Sequence, residues 1–182
     1  MPNPPRGVTL VELAGVVCAI AAVAALAMPH LGNRQREQRA AKLLAARGAM
    51  QAAAALLHGV AQARHAVQQP ACTVPGFGAN PPWVSTAGNG NLCTDSARVQ
   101  VALLYPAPTL AGIVAGAGLV PVVGTPTPAQ LAHEGFEVHA TGDGLHVRLT
   151  GGSDAMKCAF VYRAPSALGQ APELSPALTA GC

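Results

Sequence analysis

The sequence predicts an α+β chain: a long N-terminal helix whose first half suits a membrane, packed through its second half on an antiparallel sheet of about four strands. Three observations lead there. Residues 8–31 are almost wholly apolar. Residues 33–69 are rich in Ala, Gln and Arg, with leucines recurring at roughly helical spacing. Period-two alternation, the mark of a half-buried strand, begins at residue 98.

Composition sets compatible bounds. Of 182 residues, 51% are hydrophobic and only 10% charged. That is too apolar for a disordered chain and directs part of it to lipid. Aromatics at 3% leave Ala, Val and Leu to build the core, and 20 Gly with 16 Pro demand much loop. A formal net charge of +3 does not by itself imply nucleic acid.

The elements follow in order. Residues 1–7, MPNPPRG, form a short polar stretch that Pro4-Pro5 keeps out of a helix. Residues 8–33 hold the apolar run, with Glu12 as its formal charge between Val8 and Leu31. Its length of about 24 residues spans a bilayer as a helix. Residues 34–69 continue it as an amphipathic half, with Leu43, Leu44, Met50, Leu56 and Leu57 along the apolar side. One helix is expected from Val8 to about Gln69, bent or loosened at Pro29 and ended by Pro70.

Residues 70–182 make the head. A Pro/Gly/Asn loop over 70–97 holds Cys72 and Cys93. Strands are expected at 98–105, where Val99, Val101, Leu103 and Tyr105 share a face, then at 135–140, 145–150 and 156–163, where Met156, Cys158, Phe160 and Tyr162 share one. TGDG at 141–144 makes the hairpin turn. Residues 106–128 read as loop, with a short helix near 109–118.

Of the five cysteines, Cys18 lies in the apolar run, where it reads as a small apolar residue. The other four allow three connectivities, and sequence alone does not choose among them. Sequence-local bridges, Cys72 with Cys93 and Cys158 with Cys182, are favoured because loops of about 20 residues close easily, each adding about 3 kcal/mol. No cysteine spacing suits zinc. Disulfides place the head in an oxidising compartment.

A carboxylate at membrane depth costs several kcal/mol unless paired. Glu12 near the start of the helix either snorkels to the headgroups or meets a cation from another chain. GVTLVEL over 7–13, followed by an apolar helix and Pro29, resembles the type IV prepilin N-terminus, a family of pilus subunits and type II secretion pseudopilins. The head, with LLYPAPTLAGIVAGAGL at 103–119 and a final loop between Cys158 and Cys182, is similar more loosely to mannose-sensitive-haemagglutinin-type and related pilins.

The resemblance implies a leader over 1–7, cleavage by a prepilin peptidase between Gly7 and Val8, and N-methylation of Val8. It departs from the family in having Val8 where Phe is usual. It implies that Glu12 neutralises the terminal amine of a neighbouring subunit and sets axial register. It further implies a single-pass inner-membrane precursor with a periplasmic head, inner-membrane assembly machinery as partner, and self-assembly into an extracellular helical filament serving adhesion, motility or DNA uptake. Ala14, Gly15, Ala19 and Ala22 would let the helices approach closely. A pseudopilin is the alternative within the family.

Outside it, the same residues read as a secretory signal, with Arg6, an apolar core over 13–28 and Ala25-Leu26-Ala27 before a cut at Met28. That would leave a secreted binding domain. Glu12 and the helical continuation argue against it. Arg34, Arg36 and Arg39 favour a cytoplasmic side, yet the cysteines oppose this, and long domains translocate largely regardless of flanking charge.

No nucleic-acid partner is expected: Arg98, Arg148, Lys157 and Arg163 form no patch with aromatics. Histidines 30, 58, 65, 133, 139 and 146 are scattered, and His139 facing His146 across the hairpin is read as chance. Asp143 and Asp154 are too few for a calcium cage. Ser153-Asp154 lacks a nucleophile elbow. No cofactor and no enzymatic activity are expected. Trp83 in PPWV is either a core anchor or an exposed contact.

Overall fold

The computed structural model describes residues 10–74 and 81–182, excluding the side chains of residues 10 and 24–33. It is a mixed helix and sheet chain in two compact units, the first ending at Gln38 and the second covering Arg39–Cys182. The first helix, α1, is Leu10–Ala63.

The first unit presents α1 residues with no core of their own. Val11, Leu13, Val16, Val17, Ile20 and Val23 are all more than half exposed. Five of them, Leu13 to Val23, fall on one side with Val11 opposite, and Ala, Gly and Cys fill the positions between, so Glu12 is the charge among residues 11–23. The 13 residues Val11–Val23 form a short apolar helix among the described residues, whereas Arg34–Ala63 passes a length and hydropathy test for a membrane span at a mean hydropathy of 1.2. The alanines of Arg34–Ala63 account for that hydropathy, but Leu43, Met50 and Leu57 are buried in the head. Either way, α1 is long and apolar enough to cross a membrane.

In the second unit Leu43, Ala46, Met50, Ala53, Ala54, Leu57 and Ala61 are buried, at steps of three and four residues. They join one hydrophobic cluster with both sheets. The three-stranded sheet is β1 (Gly90–Cys93), β2 (Arg98–Ala102) and β3 (Tyr105–Pro106). The four-stranded sheet is β4 (Phe136–Thr141), β5 (Gly144–Leu149), β6 (Ala159–Arg163) and β7 (Glu173–Leu174). Both are antiparallel, with neighbouring strands in sequence order.

Two sheets replace the expected single one, and the reason is local. The strand expected over 98–105 stops at Ala102, because Leu103 and Leu104 take positive φ of 52° and 68° and reverse the chain. Leu103 N–H donates to Asn89 Oδ1 and Leu104 N–H to Gly88 O, which hold that turn. Leu103 and Tyr105 therefore do not extend the Val99–Val101 face. Pro106 ends β3 and has no N–H to extend the ladder. Chain 107–135 then crosses to the second sheet. It contains a wide π-type turn over Leu110–Val114 and one turn of α2 (Ala115–Ala117), close to the expected short helix. Gly112 is required there, since a Cβ would lie 2.1 Å from Ala107 O.

Three further differences have physical causes. α1 ends at Ala63, not Gln69: Ala66 takes a positive φ and its N–H bonds Val84 O. The chain there leaves the helix to bridge Val84, and Gln69 is buried with its amide on Asn91 O. A helix α3 (Pro128–His133) begins at the end of the expected loop and covers residues for which no element was expected, started by a Thr127–Gln130 capping box with Pro128 at the first position. Met156 lies in a 3-10 turn over Ala155–Lys157, capped by Asp154, and is exposed, so only Cys158, Phe160 and Tyr162 share the buried face.

Tyr162 connects the sheets. Its buried hydroxyl donates to Pro106 O at 2.7 Å, and burial raises its pKa above the usual phenol value.

Candidate functional site

Glu12 sits in the first turn of α1 and is exposed. Acid is favoured there by the unsatisfied N–H groups of a helix start. Around it the exposed side chains are apolar, and Ala14, Gly15, Ala19 and Ala22 are exposed too. Nothing lies within 4 Å of a Cβ built on Gly15. The arrangement offers one carboxylate on a smooth apolar rod. Gly7 and Val8 lie outside the described residues. Pro29 lies within α1, among residues whose side chains are outside the description.

The basic stretch has a structural task that sequence reasoning missed. Arg39 Nε donates to Cys182 O at 2.6 Å. Lys42 Nζ donates to Glu134 O at 2.6 Å and lies 3.7 Å from that residue's carboxylate. Arg47 donates to Ser175 O at 2.8 Å and to Leu174 O at 3.2 Å. Three cations at steps of three and five thus satisfy carbonyls of the C-terminal segment and the end of α3. The only sequence signal was their placement beside the Leu43–Met50 stripe.

Disulfides join Cys72 to Cys93 and Cys158 to Cys182, with Cα separations of 5.6 and 4.8 Å. The second encloses β6 and β7. Inside it Leu178 bridges Ala159, Gly181 N–H donates to Lys157 O, and Asp154 N–H donates to Gly181 O. Gly181 has no room for a side chain: a Cβ would lie 2.2 Å from Asp154 O. Cys18 is an exposed free thiol on α1.

The outward face of the four-stranded sheet carries the head's charges. His139 and His146 stand opposite each other in register, but each turns to its own acid. His139 Nε2 lies 2.6 Å from Glu137 and His146 Nε2 3.2 Å from Asp143. Hydrogen bonding to His139 lowers the Glu137 pKa, helped by the charge of Arg148 opposite. The Thr141 hydroxyl, then His146, pull Asp143 down to about 2. The Met156 N–H lowers Asp154 likewise, with Lys157 3.4 Å away. Among the described residues no group of three or more His, Cys, Asp or Glu side chains could hold a metal ion. Ser153 donates its hydroxyl to Gly181 O.

A groove of about 390 Å³ lies between α1, Tyr105 and the 171–174 segment. Two of its polar side chains, Arg47 and His58, are already engaged. Arg47 holds the two carbonyls above, and His58 stacks on Tyr105 at 3.8 Å with Nδ1 on Leu104 O. Trp83 is 45% exposed, an outer contact and not a core anchor.

Compared with protein-family models, curated proteins and solved structures, the chain finds no match to any of them.

Proposed function

We propose that this chain is a structural subunit of a type IV pilus-like filament. In this reading it is made as an inner-membrane precursor, cut between Gly7 and Val8, and assembled through the apolar half of α1 with the head outward. One observation carries the reading: Glu12 is the acid on a helix start that is otherwise apolar on every side. A soluble helix has a polar face, and an ordinary signal sequence has no acid in its apolar segment. Removing the apolar side chains from water favours lipid before assembly and neighbouring helices after it. A terminal ammonium from the next subunit would compensate Glu12 and set the axial register.

Support also comes from the head. It has two disulfides and a hydrophobic core that includes none of residues 11–23. Intact-mass and N-terminal peptide mass spectrometry of the protein from its native membrane test the proposal. A chain beginning at Val8, with or without a methyl group, is expected. A chain beginning at Met28, which lacks Glu12, overturns it.

A further inference from the structure

The outward face of the four-stranded sheet contains a second groove, about 190 Å³, along β5, β6 and the segment after β7. Arg148 lies in its wall, and its Nε is buried without a hydrogen-bond partner. Every neighbouring acid already lies against another side chain. Glu137 is on His139, Asp143 on His146 and Arg163, Glu173 on Arg163, and Asp154 on Lys157. Arg148 makes no ion pair among the described residues. The hydroxyl of Ser175, also in the wall, accepts from Val161 N–H and donates to Pro176 O. That leaves the guanidinium as the uncommitted polar group. Met156 and Leu178 flank it as apolar walls, 60% and 54% exposed.

We infer that this groove binds a carboxylate on a short aliphatic stem: an aspartate or glutamate side chain on the surface of a partner protein. A buried guanidinium donor without an acceptor is unfavourable. An entering carboxylate that draws the head group toward the groove gives Nε–H and one Nη–H a side-on, two-bond acceptor, the pairing for which guanidinium geometry is suited. The apolar walls cover the methylene stem and raise the strength of the pair by excluding water. The volume admits one such side chain and not a folded segment. Acidic sugars are disfavoured, because the walls offer no aromatic side chain for ring stacking beyond Phe160, which points to the core. The inference does not rest on the filament reading.

The test uses the full chain in detergent micelles, with the Arg148 Nε–H resonance followed by NMR. The probes are the capped tripeptide Leu-Glu-Leu, its Leu-Gln-Leu counterpart, and glucuronate. Saturable movement of that resonance by the glutamate peptide is expected, with the glutamine peptide at least about tenfold weaker. In Arg148→Lys, which keeps charge and stem but loses Nε, methyl shifts of Met156 should report affinity at least about tenfold weaker at an unchanged head melting temperature. Arg98→Gln, on the other sheet, should bind as wild type. Equal binding of both peptides, binding unaltered in Arg148→Lys, or glucuronate binding tighter than the glutamate peptide would each overturn the inference.

Discussion

Residues 11–23 and residues 43–61 of α1 share a helical backbone and many alanines, yet their large side chains meet opposite surroundings. In the second stretch, the buried residues recur at steps of three and four under both sheets, while Leu44 and Leu56 stay exposed. In the first, six large apolar side chains stay exposed, five of them on one side of the helix and Val11 opposite. At about 1.5–3 kcal/mol each, that is about 10 kcal/mol of burial the isolated chain does not realise. Helical backbone alone therefore does not tell which half belongs to the domain. The residues between the large apolar ones do: Arg47, Gln51 and His58 in the second stretch, against Ala, Gly, Cys and Glu12 in the first, where a purely hydrophobic anchor needs no acid.

The sharpest way to break this contrast is at Glu12. If the apolar half assembles with sibling chains, Glu12→Ala leaves cleavage largely intact and abolishes filaments, scored in sheared surface fractions by electron microscopy. Wild-type filament yield from that variant would remove the register role. Next in size is a paired truncation. Met50→Ala opens a cavity in a fully buried site and should cost the head about 2–5 kcal/mol. Ile20→Ala, on the exposed half, should leave the melting curve of the head unchanged.

A smaller effect tests how the basic residues serve the packed half. Arg47→Met keeps the stem but loses two bonds to backbone carbonyls, and should lower head stability by about 1.5–3 kcal/mol in chemical denaturation. The same change at exposed Arg36 should do nothing measurable. The smallest effect is far from α1. Asp143 is depressed from 3.8 to about 2, so its contribution is present above about pH 3.8 and disappears as pH falls toward 2. The acid limb of stability should therefore be shallower in Asp143→Asn than in wild type over that window.

The coarse plan was legible because it depends on patterns with a single physical meaning. Leu43–Leu57 repeats at helical steps, and Phe136–Thr141 and Gly144–Leu149 alternate around a Gly-Asp turn. What stayed hidden depends on backbone states that side-chain alternation does not encode. Leu103 and Leu104 in the left-handed region turn the expected 98–105 strand into a hairpin of β2 and β3, and leucine gives no warning of it. β7 is two residues long, too short for any period. α3 is the instructive miss, since Thr127, Pro128 and Gln130 are a readable start signal at the end of the 106–128 stretch read as loop. In the candidate site, Glu12 was visible as a charge out of place. The unpaired state of the Arg148 Nε was not, because it depends on which neighbouring acids other side chains have already taken.

The covalent ring closed by Cys158 and Cys182 has a mechanical consequence. Were β6 and β7 torn from the sheet without it, the 24-residue separation would release about 80 Å of slack chain. With the bridge intact, a tug at either end of that segment passes through sulfur and leaves the enclosed strands unstretched. The head then yields little length under load.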